Sequence, residues 1–286
     1  MLMGKWNKKY WLCVVAVCLI VLTIWIIQSN RKLLITEYHV SSPGIPEVFD
    51  GFRFAQISDL HNAQFGKENN MLLMRLSQTD PDVIVLTGDL IDSRHTELEI
   101  ALDFAVKATE IAPVYYVAGN HEARVAEYER LKSGLIEAGV IVLDDQKAQI
   151  NLENAHITLI GIKDPSFQTD YLFGDAVSVA RKTIQELQNE ADGYAVLLSH
   201  RPELFDLYVD SEIDLVFSGH AHGGQFRLPF VGGLVAPNQG LFPKYDAGCF
   251  EENGTVMIVS RGVGNSIIPV RINNPPEIVA VELKRQ

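Results

Sequence analysis

The sequence predicts an α/β fold behind a single apolar N-terminal segment, and three observations lead there. Six short runs rich in β-branched and aromatic residues recur at 52–58 (FRFAQIS), 83–88 (VIVLTG), 114–119 (VYYVAG), 156–161 (HITLIG), 194–199 (YAVLLS) and 214–219 (DLVFSG). Each is too short for a helix and has the composition of a buried strand. Between several of them, 97–111, 124–138 and 175–191 repeat apolar residues at three and four with charges filling the remaining positions, which is the helical period. Alternation of this kind predicts a mostly parallel sheet covered by helices. The third observation is 11–27, WLCVVAVCLIVLTIWII, which carries no charge.

That first element reads as a membrane span over 10–30, with a short cytoplasmic tail at 1–9. A span needs about 20 apolar residues, and Tyr10, Trp11 and Trp25 stand where interfacial aromatics belong. No small-x-small cleavage pattern follows the run, so an uncleaved anchor is expected. Lys5, Lys8 and Lys9 precede it and only Arg31 and Lys32 follow, which favours a single-pass protein at the cell membrane with its main domain outside the cytoplasm. The stretch 31–46 reads as a polar connector ending in Pro43-Gly44-Ile45-Pro46, a turn-rich boundary, and 47–286 as the domain proper, expected to stand alone once residues before Ser42 are removed. The tail adds strands at 255–260 and 277–283 without helices between them, so the C-terminal half is expected to form a second sheet.

Composition narrows the function. A chain of 286 residues, 47% hydrophobic and 21% charged, can bury one large or two small cores. Its net charge of −12 argues against nucleic acid as a partner. Cys13 and Cys18 lie in the apolar run, leaving Cys249 alone in the domain, so neither a disulfide there nor a thiolate cluster is expected.

The chemistry falls at the strand ends. The run 52–58 hands over to Asp59-Leu60-His61, 83–88 to Asp89, 114–119 to Asn120-His121-Glu122, 194–199 to His200, and 214–219 to His220-Ala221-His222. Five of the eight histidines sit in these blocks. Ligands of α/β sheets bind beyond the carboxyl ends of the strands, so these sequence-distant groups are expected to converge on one crevice. Residues two apart in extended chain project to the same side, which would let Asp59 and His61 share an ion and His220 and His222 grip a close pair of ions, one each. His39, His95 and His156 match no such block. A metalloprotease helix is excluded, because His121-Glu122 lacks the second histidine of that motif.

The five blocks, in this order, resemble the calcineurin-like metallophosphoesterase superfamily. The tail 260–271 (SRGVGNSIIPVR) and the anchored arrangement are similar to membrane-anchored bacterial phosphodiesterases of the YkuE and YaeI type. The resemblance implies a four-layer αββα sandwich of two mixed sheets. It implies two divalent ions, manganese, iron or zinc: Asp59, His61 and His222 on one, Asn120, His200 and His220 on the other, and Asp89 bridging. It also implies hydrolysis of a phosphodiester, pyrophosphate or monoester by a metal-activated water, with His121 as general acid or hydrogen-bond donor oriented by Glu122 or Asp92. Arg201, Arg261 and Arg271 are further candidates for contact with substrate phosphate, each weighed against ordinary ion pairing. Tethering adds a lipid-linked phosphate such as UDP-2,3-diacylglucosamine to the substrates in view. No protein partner is expected. The alternative is a non-catalytic, metal-stabilised scaffold or sensor at the membrane, against which the intact set of blocks argues.

Overall fold

The computed structural model describes residues 8–168, 173–188, 193–265 and 268–286. Residues 1–7 of the expected cytoplasmic tail and 189–191 of the third expected helix lie outside the described residues. Helix α1 (Lys8–Arg31) has 24 residues, a length of about 36 Å against a bilayer core of about 30 Å. Its window Tyr10–Ile27 has a mean hydropathy of 2.7 and is not buried inside the protein.

Strand β1 (Leu34–Ser42) follows, inside the stretch expected to be a connector, and this corrects that expectation. Leu34-Ile35-Thr36-Glu37-Tyr38-His39-Val40 carries strand-forming side chains along both faces, and the polar residues Glu37 and His39 hide the pattern. The expected strands then appear as β2 (Arg53–Ile57), β3 (Val83–Thr87) and β4 (Val114–Val117), with α2 (Asn70–Ser77) and α3 (Leu98–Thr109) between them. Helix α4 (Tyr128–Glu137) leads to β5 (Ile141–Val142), the hairpin β6 (Gln146–Leu152) and β7 (Ala155–Ile162), then α5 (Phe173–Gln188), β8 (Ala195–Ser199), α6 (Phe205–Asp210) and β9 (Leu215–Ser218). Two small hairpins follow, β10 (Arg227–Leu228) with β11 (Gly232–Gly233) and β12 (Val235–Ala236) with β13 (Gly240–Leu241), before β14 (Gly248–Glu252), β15 (Thr255–Val259) and β16 (Glu277–Arg285).

The long strands form two six-stranded sheets in the orders β1-β16-β2-β3-β4-β5 and β14-β15-β9-β8-β7-β6. Both are mixed: β16 runs antiparallel to β2, and β14 and β6 run antiparallel to β15 and β7. The tail therefore divides, with β15 in the second sheet and β16 inserted between β1 and β2 in the first. This corrects the expectation of one C-terminal sheet.

Period-two alternation explains the layering. Val83 and Val85 of β3 face the second sheet beside Ile157, Val196 and Phe217, while Ile84 and Leu86 face Phe104 and Leu131 of the helices. The second sheet repeats the scheme, with Leu197 and Val216 against Ile184 and Phe205. Three apolar cores thus separate four layers, helix, sheet, sheet and helix. One polar side chain crosses the central core: Gln56 Nε2 donates to Thr87 Oγ1 at 2.9 Å and to Ser218 O at 2.8 Å, which ties the ends of β2, β3 and β9 together.

Candidate metal centre

The carboxyl ends of β2, β3, β4, β8 and β9 meet along the seam between the sheets, and each delivers one block. Asp59, His61, Asp89, Asn120, His121, His200, His220 and His222 are all buried there. Asp59 Oδ1 lies 3.7 Å from His61 Nε2 and 3.2 Å from His222 Nε2, and the two imidazole nitrogens are 3.2 Å apart. A second cluster joins Asp89, His200 and His220. In it His200 Nε2 sits 3.2 Å from Asp89 Oδ2, from Asn120 Oδ1 and from His220 Nδ1.

The two pairs spaced by one residue do not work as extended chain. Asp59, His61, Asp89, His220 and His222 have φ of 54, 45, 54, 65 and 49°, in the left-handed region, at roughly 1–3 kcal/mol per non-glycine residue. Each strand ends by folding its backbone across its neighbour: His61 N–H donates to Asp89 O at 3.0 Å, and His220 N–H to Asp59 Oδ2 at 3.1 Å. His220 and His222 consequently face different clusters. Glycine precedes the ligands because these loops touch. A Cβ on Gly119 would lie 2.2 Å from Asp89 Oδ1, and one on Gly219 1.9 Å from Ser58 Oγ.

The residues fit a metal by an independent criterion. His200 Nδ1 donates to Thr87 O at 2.7 Å, so in the neutral ring the Nε2 lone pair points at two further acceptors, Asp89 Oδ2 and Asn120 Oδ1. Asp59 Oδ1 is buried without any donor. Acceptors converging on buried acceptors form a pocket that favours positive charge, which a bound cation would supply. Electrostatics agree, since burial would lower the His200 pKa, yet Asp89 pushes it up to about 10. Burial likewise raises Asp59 and Asp89, but His222 holds the first and His200 the second below the usual carboxylate range. His222, by contrast, is held down to about 3, chiefly by burial.

His121 stands beside both clusters, its Nε2 4.0 Å from Asp89 Oδ2. Its orienting partner is one that no sequence motif announces: Ser93 N–H donates to Nδ1 at 3.0 Å, which leaves the ring proton on Nε2, facing the site. Burial, first of all, lowers its pKa to about 4 and keeps the ring neutral. Neither expected orienter takes the role. Asp92 approaches Nδ1 only to 3.9 Å, and Arg94 Nε and Nη2 occupy its oxygens at 3.0 and 2.5 Å. Glu122 accepts from Asp89 and Gly119 N–H at 2.8 Å and from Ile91 N–H at 3.2 Å. It therefore pins the loop carrying Asp89 to the loop carrying Asn120. Burial and then the charge of Asp89 raise its pKa to about 7, against those three donors.

The arginines are engaged elsewhere. Arg201 is bound by Asp164 at 2.6 and 2.8 Å, and Arg261 Nε lies 3.5 Å from Glu277. Arg271 is fully buried; it donates to Arg261 O at 2.7 Å and lies 3.4 Å from His222 Nδ1. Its backbone exchanges two 2.8 Å hydrogen bonds with the Asn30 side chain at the end of α1.

Comparison with known proteins matches this arrangement. The chain is 28% identical to the metallophosphoesterase YkuE of Bacillus subtilis, over 87% of this chain and 85% of that one. It is 28% identical to phosphodiesterase YaeI of Escherichia coli, over 81% of this chain and 82% of that one. TT1561 of Thermus thermophilus shares the fold at a TM-score of 0.51 and 14% identity, covering 74% of this chain and 90% of that one. The profile of the family described as calcineurin-like phosphoesterase matches residues 52–224, a span that holds both clusters and more than half of the chain. The protein belongs to the calcineurin-like phosphoesterase family and is a metal-dependent phosphoric ester hydrolase.

Proposed function

We propose that the chain is a membrane-anchored phosphodiesterase or pyrophosphatase acting on a lipid-linked phosphate, with two divalent ions held by the seven clustered ligands. One observation carries the reading: Asp89 Oδ2 lies 3.6 Å from His61 Nε2 and 3.2 Å from His200 Nε2, so one carboxylate oxygen serves both clusters. Asp59, His61 and His222 would hold one ion and Asn120, His200 and His220 the other, with Asp89 placed to serve both. Nitrogen and oxygen donors without a thiolate suit manganese, iron or zinc. When bound, the pair supplies a water of lowered pKa and neutralises charge developing at phosphorus.

The side chains supply the rest. The two aspartates offset half of the four positive charges of such a pair, so a phosphate is attracted inside a protein of net charge −12. His121, neutral with its proton on Nε2, donates a hydrogen bond to a phosphoryl or leaving-group oxygen and so stabilises the charge that develops there. A lipid-linked substrate is supported by position, because the end of α1 touches Arg271 and Arg271 touches His222. Lys5, Lys8 and Lys9, ahead of the apolar run, favour a domain on the extracytoplasmic side.

The full chain in detergent micelles, loaded with manganese, is expected to hydrolyse bis-p-nitrophenyl phosphate faster than p-nitrophenyl phosphate and to release UMP from a UDP-diacylglucosamine lipid. Hydrolysis of the soluble diester alone would remove the lipid substrate. Silence on all three with two ions bound would remove the catalytic reading.

A further inference from the structure

The two small hairpins present apolar side chains that no core uses. Phe230 is fully exposed, and Leu228, Val231, Leu241 and Phe242 stand 45–70% exposed. Their backbone is tightly held: Phe242 N–H donates to Leu234 O at 2.9 Å, and Leu234 N–H to Phe226 O at 2.8 Å. Large exposed apolar side chains gathered on two hairpins joined by backbone hydrogen bonds mark a contact surface.

Its place in the fold says which surface. The first hairpin springs from Phe226 and Arg227, which pair with Ile272 through a parallel bridge and a 3.0 Å hydrogen bond. The neighbouring Arg271 holds Asn30 of α1. The base of the first hairpin is therefore joined to the end of α1 through Arg271 and Ile272. Lys244, two residues past Phe242, is exposed, as is Lys32 just past α1, and apolar tips with basic residues nearby in sequence are the composition of an interfacial segment. The second hairpin also reaches the metal centre, where Asn238 Nδ2 lies 3.0 Å from His220 Nε2.

We infer that the tips of the two hairpins, with Phe230 and Leu241 foremost, dip into the headgroup layer of the membrane that α1 enters and hold the mouth of the metal centre against the lipid surface. The inference rests on the anchoring proposed above. The test places an environment-sensitive fluorophore on one cysteine at a time in the full chain, with the other native cysteines replaced by serine. The protein is reconstituted into phosphatidylethanolamine–phosphatidylglycerol vesicles containing doxyl-labelled lipid.

Four positions are compared: native Cys18 in the middle of α1, Phe230→Cys, Leu241→Cys, and Glu153→Cys in the β6–β7 turn at the far end of the second sheet. Cys18 is expected to lose emission to deep doxyl lipid, positions 230 and 241 to shallow doxyl lipid, and position 153 to neither. Quenching at 18 with 230 and 241 matching 153 overturns the hairpin contact and leaves the anchor standing. If 18 is not quenched, the anchor fails; quenching at 230 and 241 would then still support the surface contact, and its absence would overturn both.

Discussion

The two sheets contribute to the centre in different currencies. The first supplies both aspartates, the asparagine and two histidines, His61 and His121; the second supplies imidazoles only, His200, His220 and His222. Carboxylates on one side are met by imidazoles on the other, and each of the two clusters draws side chains from both sheets. The site is a property of the seam, and the seam is tied by Gln56 reaching Thr87 and Ser218, and by Asp164 N–H donating to Ala118 O at 2.9 Å.

The strongest way to break this complementarity is at the residue that faces both clusters. Asp89→Ala should remove both ions and all measurable hydrolysis, read by metal analysis and initial rates; one ion retained would show that the clusters fill independently. His121→Asn comes next. It should keep the metal content and slow turnover by roughly 10²- to 10³-fold, the usual worth of one hydrogen-bond donor to developing negative charge; loss of metal would make His121 a ligand.

A third test asks how firmly the second sheet holds its histidines. Asp164 is fully buried with Arg201 against it, and removing one partner of such a pair costs about 3–5 kcal/mol. Asp164→Asn should lower the denaturation midpoint accordingly. Burial raises the Asp164 pKa, but Arg201 outweighs it and the net shift is downward. The pair's stabilisation is therefore present above the unfolded carboxylate value of about 3.9 and is lost as pH falls through the lower folded value. A pH series of unfolding curves on the Asp164→Asn variant should lack that acid-side loss.

The smallest effect belongs to the anchor. A chain starting at Leu33 should hydrolyse the soluble diester with unchanged kcat. One starting at Pro43, which strips β1 and bares the edge of β16, should aggregate in light scattering.

The sequence discloses the polar residues that gather at the seam far better than what holds them in place. Strands buried on both faces read as apolar runs, so a polar residue directly after 83–88 or 194–199 stands out and needs no geometry to be noticed. The backbone at those points is harder to read, because extended spacing suggests pairs at 59/61 and 220/222 while the loops turn into the left-handed region. What holds the ligands is invisible: the Ser93 N–H on His121 is a main-chain group with no side-chain signature. Glu122 stands out as a neighbour of His121 but spends its carboxylate on three backbone donors. Strand β1 escapes notice because its partner is more than 200 residues away in the chain, and local pattern carries no information about such a partner.

That last pairing sets an order of events. All nine residues of β1, from Leu34 beside the anchor to Ser42, pair in register with Glu277–Arg285, and β16 alone joins β1 to the remainder of the first sheet. During synthesis the segment next to α1 is made early yet cannot join the sheet until its distant partner has been translated and delivered. Contacts this far apart are the slow ones in folding, so the polypeptide waits with one sheet edge open until β16 arrives to close it.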